Sequence, residues 1–237
     1  TPGDCFYAAY EASRIALKYM TPVVLLSDGY LANGSEPWKI PNVKDLEPID
    51  VKFAKGSKSK DDFLPYERDN KTLSRPWAIP GTPGLEHRVG GLEKAENTGH
   101  VSYDPDNHQR MVELRQEKVN RIQDDIAKTE VYGDNNGEVL IVSWGGTYGS
   151  CRSAVETLHE DGKSVSHIHL RWISPLPKDL GEIIIKFKNV LVPEINMGQL
   201  IKLLRAEYLV DAKGLNQVTG RPISATRIIE NVNQLIG

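Results

Sequence analysis

The strongest constraint on the fold is the alternation of short apolar runs with helical patterns over residues 134–237. Apolar runs predict strands at 139–142, 165–172 and 190–192 and a weaker one at 209–212, and helical patterns follow at 151–160, 178–187, 199–208 and 224–235. Strands that alternate with helices of this length form right-handed βαβ units around a parallel sheet. The sequence therefore predicts an α/β domain of normal size in this region.

A helix and a strand without visible partners precede this domain. Asp4 is a suitable N-cap for a helix that reaches Tyr19, and residues 22–27 (PVVLLS) form an apolar run typical of a strand buried on both faces. One helix cannot cover both faces of such a strand. We therefore expect residues 1–32 to be the end of an α/β domain whose remainder lies outside this sequence. The alternative is that residues 22–27 join the later sheet.

Residues 33–97 lack regular periodicity and are interrupted by prolines, and residues 55–62 form a charge run that we expect to be solvated. An irregular stretch of this length is uncommon inside a compact domain. It either wraps a partner or a neighbouring domain, with its aromatic residues as anchors, or serves as a plain linker. Asp104 and Pro105 then have the N-cap and first-position pattern of a long helix, expected to run from about 105 to about 129.

Composition and charge exclude several classes of protein. With 29 Lys and Arg against 32 Asp and Glu, the chain has a net charge of −3, which disfavours nucleic acid and anionic membranes as partners. No apolar run is long enough for a membrane helix, and the first residues lack a signal-peptide pattern. Cys5 and Cys151 stand apart without a C-x-x-C motif, so we expect no iron–sulfur cluster on this chain. These features predict a cytoplasmic protein.

Two loops that follow predicted strands are candidate binding segments. Residues 145–150 (GGTYGS) lead into a helix, where backbone N–H groups can bind phosphate, but they match neither G-x-G-x-x-G nor the P-loop. A tight turn with close packing of helix and strand is therefore favoured. Glu194 and Asn196 follow the third strand, at the sheet edge where ligands and partners bind in open α/β folds. An interface role for them and simple capping of the next helix by Asn196 remain open.

The histidines do not indicate a metal site. His167 and His169 are two positions apart on a predicted strand and should point to the same face, but no third ligand is evident. The H-E-x-x-H motif is absent as well. We therefore assign neither a metal ligand nor a catalytic residue.

Several motifs are similar to those of one enzyme family. The motifs are residues 6–36, 83–93 (PGLEHRVGGLE), 98–108 (TGHVSYDPDNH), Trp144-Gly145-Gly146 and 193–200 (PEINMGQL). Together they resemble the alpha subunits of 2-oxoacid:ferredoxin oxidoreductases of the 2-oxoglutarate (KGOR) type. The resemblance implies the end of a thiamine pyrimidine-binding domain at 1–32, an extended connector at 33–133, and a transketolase C-terminal-like parallel sheet domain at 134–237.

The resemblance also implies an activity and its cofactors. Such enzymes decarboxylate a 2-oxoacid, transfer the acyl group to coenzyme A and pass electrons to ferredoxin. Thiamine diphosphate, magnesium and an iron–sulfur cluster belong to the full complex, and none is expected to bind this chain alone. The family's Tyr-Pro-Ile-Thr-Pro and Gly-Pro-Ser-Thr-Gly types of segment do not occur here. We therefore expect the C-terminal part of an alpha subunit, inactive without the N-terminal part and the beta subunit.

The same resemblance suggests where the chain contributes to function. Asp28 and Gly29 follow a strand of the pyrimidine domain and are expected near the mouth of the cofactor pocket, although Asp28 can also simply cap a turn. A second pair, Glu86 and His87, is expected to border the beta subunit. Glu194 and Asn196 are expected at a subunit interface because of their place at the sheet edge. One rival is a non-catalytic module for subunit assembly. Another is a stand-alone nucleotide-binding protein that uses residues 145–150.

Overall fold

The computed structural model describes residues 1–56 and 62–237, so most of the predicted charge run at 55–62 lies outside the described residues. The chain forms two compact units. We call the first the sheet unit, comprising Thr1–Phe6, Leu26–Pro37 and Ile126–Gly237. The second, the connector unit, comprises Tyr7–Leu25 and Trp38–Asp125.

The sheet unit is built on a five-stranded sheet with the order β1-β3-β2-β4-β5. The strands are β1 Val131–Tyr132, β2 Gly137–Trp144, β3 Val165–Leu170, β4 Phe187–Glu194 and β5 Lys213–Asn216. All neighbouring strands are parallel except β1, which pairs antiparallel with β3. This arrangement confirms the predicted α/β fold. The antiparallel β1 was not predicted, because a two-residue strand shows no periodicity.

Helices cover both faces of this sheet. They are α4 Tyr148–Glu160, α5 Leu180–Ile184, α6 Leu200–Tyr208 and α7 Ala225–Ile236. The short helix α2, Gly29–Ala32, belongs to the same unit but buries no residue. Alternate residues of β2 enter different clusters: Val139 and Ile141 pack on the side of α4 and α7, and Leu140 and Val142 on the side of α5 and α6. The central strands are therefore buried on both faces, as their continuous apolar runs predict.

One strand of the sheet begins later than the sequence predicts. The weak strand expected at 209–212 is wrong, because Leu209 adopts a left-handed conformation (φ 51°) as the C-cap of α6. This turn moves the strand to Lys213–Asn216, where β5 pairs with β4.

The connector unit has little regular structure apart from helices. The first helix, α1 Asp4–Tyr19, begins in the sheet unit and continues into this one, and α3 spans Pro105–Arg121. Two residues of α3, Met111 and Leu114, pack with Leu73 in a small apolar cluster. The helix ends before the predicted residue 129, because its last turn tightens into a 3-10 turn, Ile122–Asp124, that buries Ile122.

Residues 22–27 do not form the predicted strand. They have no regular secondary structure and no strand pairing, and Val24 and Leu26 are 80 % and 64 % exposed. A strand requires a neighbour for its backbone N–H and C=O groups, and the sheet described here does not include this segment. The alternative that it joins the later sheet is therefore wrong.

Candidate functional site

The candidate site lies at the carboxyl edge of the sheet, within the sheet unit. Parallel strands β2 and β4 are neighbours, so their last residues, Trp144 and Glu194, lie side by side. The Trp144 indole Nε1 donates a hydrogen bond of 3.2 Å to Glu194 Oε1. This contact joins the loops that follow the two strands.

The Glu194 carboxylate is fully buried and saturated with hydrogen bonds. Oε1 also accepts from Leu200 N at 2.8 Å and from Asn196 Nδ2 at 3.1 Å, and Oε2 accepts from Ile201 N at 3.1 Å. These backbone donors are the unpaired N–H groups at the start of α6, where a negative charge is favoured. Glu194 therefore holds the start of α6 against the end of β2.

Asn196 organises the loop between Glu194 and α6. Its Oδ1 accepts from Gly198 N at 2.8 Å and from Gln199 N at 3.0 Å, which fixes the turn before α6. The N-cap residue of α6 is Gln199, and Glu194 accepts from the first helical N–H groups, so the alternative that Asn196 caps this helix is wrong. Ile195 and Met197, on either side of it, are 40 % and 76 % exposed. An interface role for Glu194 and Asn196 stays a prediction.

Asp28 meets the other loop of this edge. It is the N-cap of α2, and its Oδ1 accepts from Leu31 N at 3.0 Å. A Cβ built on Gly146 would overlap the Asp28 carboxylate, so this contact requires glycine at 146. The preceding Gly145 has a φ of +58°, which also favours glycine. Two segments singled out in the sequence, Asp28-Gly29 and Gly145-Gly146, are thus brought together, with Gly29 in open space.

A buried polar cluster lies under the same edge, on the face covered by α4. Ser143 Oγ lies 2.6 Å from His167 Nε2 and 2.7 Å from His169 Nδ1, so the two histidines share one face, as predicted. Burial lowers the pKa of His167 to about 3 and that of His169 to about 4. Both rings are therefore neutral at pH 7. Ser143 was missed in the sequence because a serine in an apolar strand has no signal until the register is known.

Cys151 completes this cluster. It hydrogen-bonds Ser143 and Thr147 and is fully buried, and burial raises the pKa of its thiol to about 12. A thiol with such a pKa is not a nucleophile at pH 7. Within residues 1–56 and 62–237, no group of three or more His, Cys, Asp or Glu side chains is placed to hold a metal ion.

Glu86 and His87 belong to the connector unit. Glu86 is exposed, whereas His87 is half-buried with its Nδ1 2.8 Å from the Leu85 carbonyl oxygen. The His87 ring also meets Phe63 edge-on, with centroids 5.6 Å apart. Local contacts thus orient His87, and Glu86 offers a charge to solvent.

Comparison with known proteins gives two consecutive family matches. Residues 1–104 match the thiamine diphosphate-binding domain of pyruvate flavodoxin/ferredoxin oxidoreductases, and residues 137–228 match core domain II of pyruvate:ferredoxin oxidoreductase. Among the helices of the described residues, none is long and apolar enough to span a membrane.

Individual relatives agree with these matches. The 2-oxoglutarate oxidoreductase subunit KorA of Mycobacterium tuberculosis is 48 % identical over 229 residues, which cover 96 % of this chain and 34 % of that protein. The alpha subunit of 2-oxoacid:ferredoxin oxidoreductase 1 of Aeropyrum pernix is 30 % identical over 98 % of this chain and 37 % of its own length. The chain spans about a third of the length of these relatives.

A solved structure extends the likeness to three dimensions. The 2-oxoglutarate:ferredoxin oxidoreductase of Magnetococcus marinus, with 2-oxoglutarate, coenzyme A and succinyl-CoA bound, matches with a TM-score of 0.91 at 32 % identity. The match covers 99 % of this chain and 41 % of that one. The chain therefore belongs to the 2-oxoacid:ferredoxin oxidoreductase family, among its alpha subunits, which confirms the family expected from the sequence motifs.

Proposed function

We propose that the chain is part of the alpha subunit of a 2-oxoglutarate:ferredoxin oxidoreductase. The enzyme would decarboxylate 2-oxoglutarate oxidatively to succinyl-CoA and pass the electrons to ferredoxin. The observation that carries this proposal is the 48 % identity with a 2-oxoglutarate oxidoreductase subunit over 96 % of the chain. Since the chain covers a third of that relative, activity is expected only with the rest of the alpha subunit and with a beta subunit. A cytoplasmic location is part of the proposal, since coenzyme A and ferredoxin are cytoplasmic reactants.

The proposed domain division has three parts. Residues 1–32 would complete a pyrimidine-binding domain, residues 33–133 would be the connector, and residues 134–237 would be the sheet domain. The exposed apolar side chains Val24 and Leu26 support the first part, because they offer an uncovered strand-like segment to further structure. The match to a thiamine diphosphate-binding domain covers residues 1–104, so it includes the first part together with much of the proposed connector.

The residues of this chain fit at most one wall of a thiamine site. Asp28 is partly occupied with capping α2, and the neighbouring Tyr30 is 66 % exposed, so these residues do not enclose a cofactor by themselves. Thiamine diphosphate supplies the carbanion chemistry of decarboxylation when it is bound. The diphosphate, magnesium and the iron–sulfur cluster are assigned in this proposal to the rest of the complex.

The role proposed for Asp28 is to hold the entrance of that pocket against the Gly145-Gly146 turn. Asp28→Asn keeps an acceptor for Leu31 N but removes the charge, and Gly146→Ala pushes the carboxylate away without changing its charge. In the assembled enzyme, both substitutions should raise KM or lower kcat, Gly146→Ala the more strongly. Gly149→Ala is the matched control, because a Cβ there meets no atom within 4 Å. Unchanged kinetics in both variants would remove Asp28 from the site.

The interface proposal covers Glu86, His87, Glu194 and Asn196. Glu86 is exposed and would contact the beta subunit directly, whereas the buried Glu194 would act by fixing the loop that carries Ile195 and Met197. Glu86→Lys and Met197→Asp should each weaken copurification of the beta subunit at least tenfold. The control is Glu160→Lys on α4, which reverses an exposed charge elsewhere. Full copurification in both test variants would contradict the interface.

The function as a whole is tested by coexpressing the complete alpha subunit with its beta subunit. Reduction of benzyl viologen is measured with 2-oxoglutarate, pyruvate and 2-oxobutyrate, each with and without coenzyme A. We expect coenzyme A-dependent reduction that is fastest with 2-oxoglutarate. A complex that assembles but reduces no acceptor with any 2-oxoacid would instead favour the non-catalytic assembly module.

A further inference from the structure

Four cations of the connector unit interact electrostatically with one another, and two of them lie over one aromatic ring. Two guanidinium groups lie near the Tyr66 ring: Arg75 Cζ is 4.1 Å and Arg68 Cζ is 6.0 Å from its centroid. Lys118 on α3 interacts electrostatically with both arginines and with Arg115. We call Arg68, Arg75, Arg115 and Lys118 the Tyr66 cluster.

The positive charge of this cluster is poorly compensated. Within the part of the chain that the structure describes, no ion pair includes Arg68, Arg75 or Lys118. Arg115 reaches Glu93 at 3.7 Å, but that carboxylate is shared with His108, whose Nδ1 is 2.6 Å from Glu93 Oε2. Glu96 also acts on Arg68, but it pairs with Arg110 at 3.5 Å, so the four like charges face two carboxylates that are both shared with other basic groups.

The cations are held in place by backbone carbonyls instead of carboxylates. Arg68 donates to the Tyr66 carbonyl oxygen at 3.2 Å, Arg75 to that of Pro65 at 3.1 Å, and Lys118 to that of Met20 at 3.0 Å. A guanidinium carries five N–H donors and an ammonium carries three. Each of these side chains therefore keeps further N–H groups for a ligand after its structural contact is made.

The Tyr66 ring is itself fixed in position. Tyr66 pairs with Asn97 across an isolated bridge, and its N–H donates to the Asn97 carbonyl oxygen at 3.0 Å. A Cβ at Gly99 would lie 2.9 Å from Tyr66 Cδ2, and Gly99 has a φ of +71°, so the ring packs where only glycine leaves room. The two guanidinium groups near the ring therefore lie over a surface that is already ordered, which limits the entropy lost on binding.

This concentration of charge has an electrostatic cost without a ligand. Burial, followed by the charges of Arg68, Arg75 and Arg115, lowers the pKa of Lys118 to about 8. Burial and the charge of Arg75 likewise lower the pKa of Arg68. An anion among these groups would relieve the repulsion, which is the usual signature of a binding site.

We propose that the Tyr66 cluster binds an oxyanion of the phosphate class. Planar guanidinium groups bind phosphate oxygens in pairs, and an ammonium adds a compact charge at a third oxygen. A single carboxylate has two oxygens and one charge and would satisfy fewer of these donors. The phosphate can be free or can be carried by coenzyme A; the second source rests on the proposed function, and the first does not.

The test uses the 237-residue chain and inorganic phosphate at pH 7. Thermal unfolding is followed in sodium phosphate and in sodium chloride at equal ionic strength, and binding is measured by the broadening of the ³¹P resonance. We expect phosphate to raise the Tm of the wild type beyond chloride. Lys118→Met should bind phosphate at least tenfold more weakly, although its Tm in chloride should equal or exceed that of the wild type, because a repulsive charge is gone.

Two further variants make the result decisive. Arg75→Gln should also weaken phosphate binding at least tenfold and provides the answer if Lys118→Met does not fold. Arg152→Gln, which removes an arginine paired with Glu156 on α4, should bind phosphate like the wild type. The proposal is overturned if phosphate stabilises no more than chloride, or if Lys118→Met and Arg75→Gln bind as the wild type does.

Competition then identifies the source of the phosphate. If coenzyme A displaces inorganic phosphate at lower concentration than phosphate displaces itself, the cluster binds the phosphate groups of the carrier. If coenzyme A competes no better than phosphate, the cluster is a site for the free ion. Loss of 2-oxoacid activity with retained phosphate binding would refute the proposed function without affecting this site.

Discussion

The sheet unit and the connector unit reach a folded state by different means. In the sheet unit, β2 and β4 are covered on both faces by two apolar clusters, and the backbone is satisfied by a regular ladder. In the connector unit, the apolar cluster around Leu73, Met111 and Leu114 is small, and isolated bridges replace the sheet. Its loops depend on side chains that hydrogen-bond the backbone. The comparison teaches that irregular chain can be ordered by polar contacts where apolar burial is limited.

Removing apolar volume should separate the two units most clearly. Leu140→Ala in β2 should lower the free energy of unfolding by about 3–5 kcal/mol, because the cavity lies in a densely packed sheet. Leu114→Ala on α3 should lower it by about 2–3 kcal/mol, because its cluster can collapse more easily. Urea denaturation combined with hydrogen exchange assigns each loss to its unit. Equal losses at the two positions would contradict the view that apolar packing stabilises the sheet unit more than the connector unit.

Within the sheet unit, the buried carboxylate is the exception to apolar stabilisation. Glu194→Gln replaces one acceptor oxygen by an NH₂ group that faces a backbone or indole donor, and we expect a loss of about 2–3 kcal/mol. Amide exchange at Leu200 and Ile201 should accelerate. Asn196→Asp keeps the acceptor for Gly198 and Gln199 but removes the Nδ2 donor to Glu194 Oε1 and brings a second carboxylate beside it, so we expect a loss of about 1–3 kcal/mol. Unchanged exchange in Glu194→Gln would show that the carboxylate does not hold α6.

Within the connector unit, two cations on α1 bind the same carboxylate but differ in burial. Arg14 is 4 % exposed and hydrogen-bonds Glu11 and Asp125, whereas the side chain of Lys18 is 36 % exposed and pairs with Asp125 while lying over the Tyr19 ring. Arg14→Met should lower the free energy of unfolding by about 2 kcal/mol and Lys18→Met by less than about 1 kcal/mol. Denaturant unfolding measures both. A larger effect of Lys18→Met would contradict the assignment of stability to the buried guanidinium.

Acid should distinguish the units further. Burial lowers the pKa of His167 and of His169 far below the value of about 6.5 in an unfolded chain. Their contribution to stability is therefore present above pH 6.5 and is lost as the pH falls from there towards 3. Between pH 7.5 and pH 6, we expect the sheet unit to lose up to about 1 kcal/mol for each histidine.

The variant His167→Gln removes one of these titrating groups, so the free energy of unfolding should fall less steeply as the pH is lowered. His100→Gln replaces an exposed histidine of the connector unit and should leave the profile as it is. Denaturant unfolding at a series of pH values gives both slopes. An undiminished decline in His167→Gln would show that other groups titrate.

The sequence predicts the sheet well because its apolar runs and the turn or capping residues between them mark the same boundaries. The strands around Val139–Val142, Val165–Leu170 and Val190–Val192 are apolar on both faces, and glycine or an N-cap residue separates them from their helices. The extents of α3 and β5 were wrong, because a 3-10 turn at Ile122 and a left-handed residue at Leu209 leave no periodic signal.

The sequence identified the residues of the candidate site but did not predict the contacts between them. Asp28 and Gly146 are far apart in sequence, and their packing depends on the absence of a Cβ that spacing cannot reveal. The hydrogen bonds of Glu194 to the start of α6 likewise depend on its burial. The sequence does not indicate this burial, because charged residues are usually exposed. The Tyr66 cluster was missed because its members come from residues 66–75 and from α3, two segments far apart in sequence whose contact no local pattern reveals.

The contact between Asp28 and Gly146 also restricts which residues can occur at these two positions in related sequences. Any relative that acquires a side chain at the position of Gly146 must shorten or relocate the acid at the position of Asp28, because both cannot occupy the same volume. The two positions should therefore change together in an alignment of natural sequences, as one inherited unit that links the opening segment of this chain to its last domain.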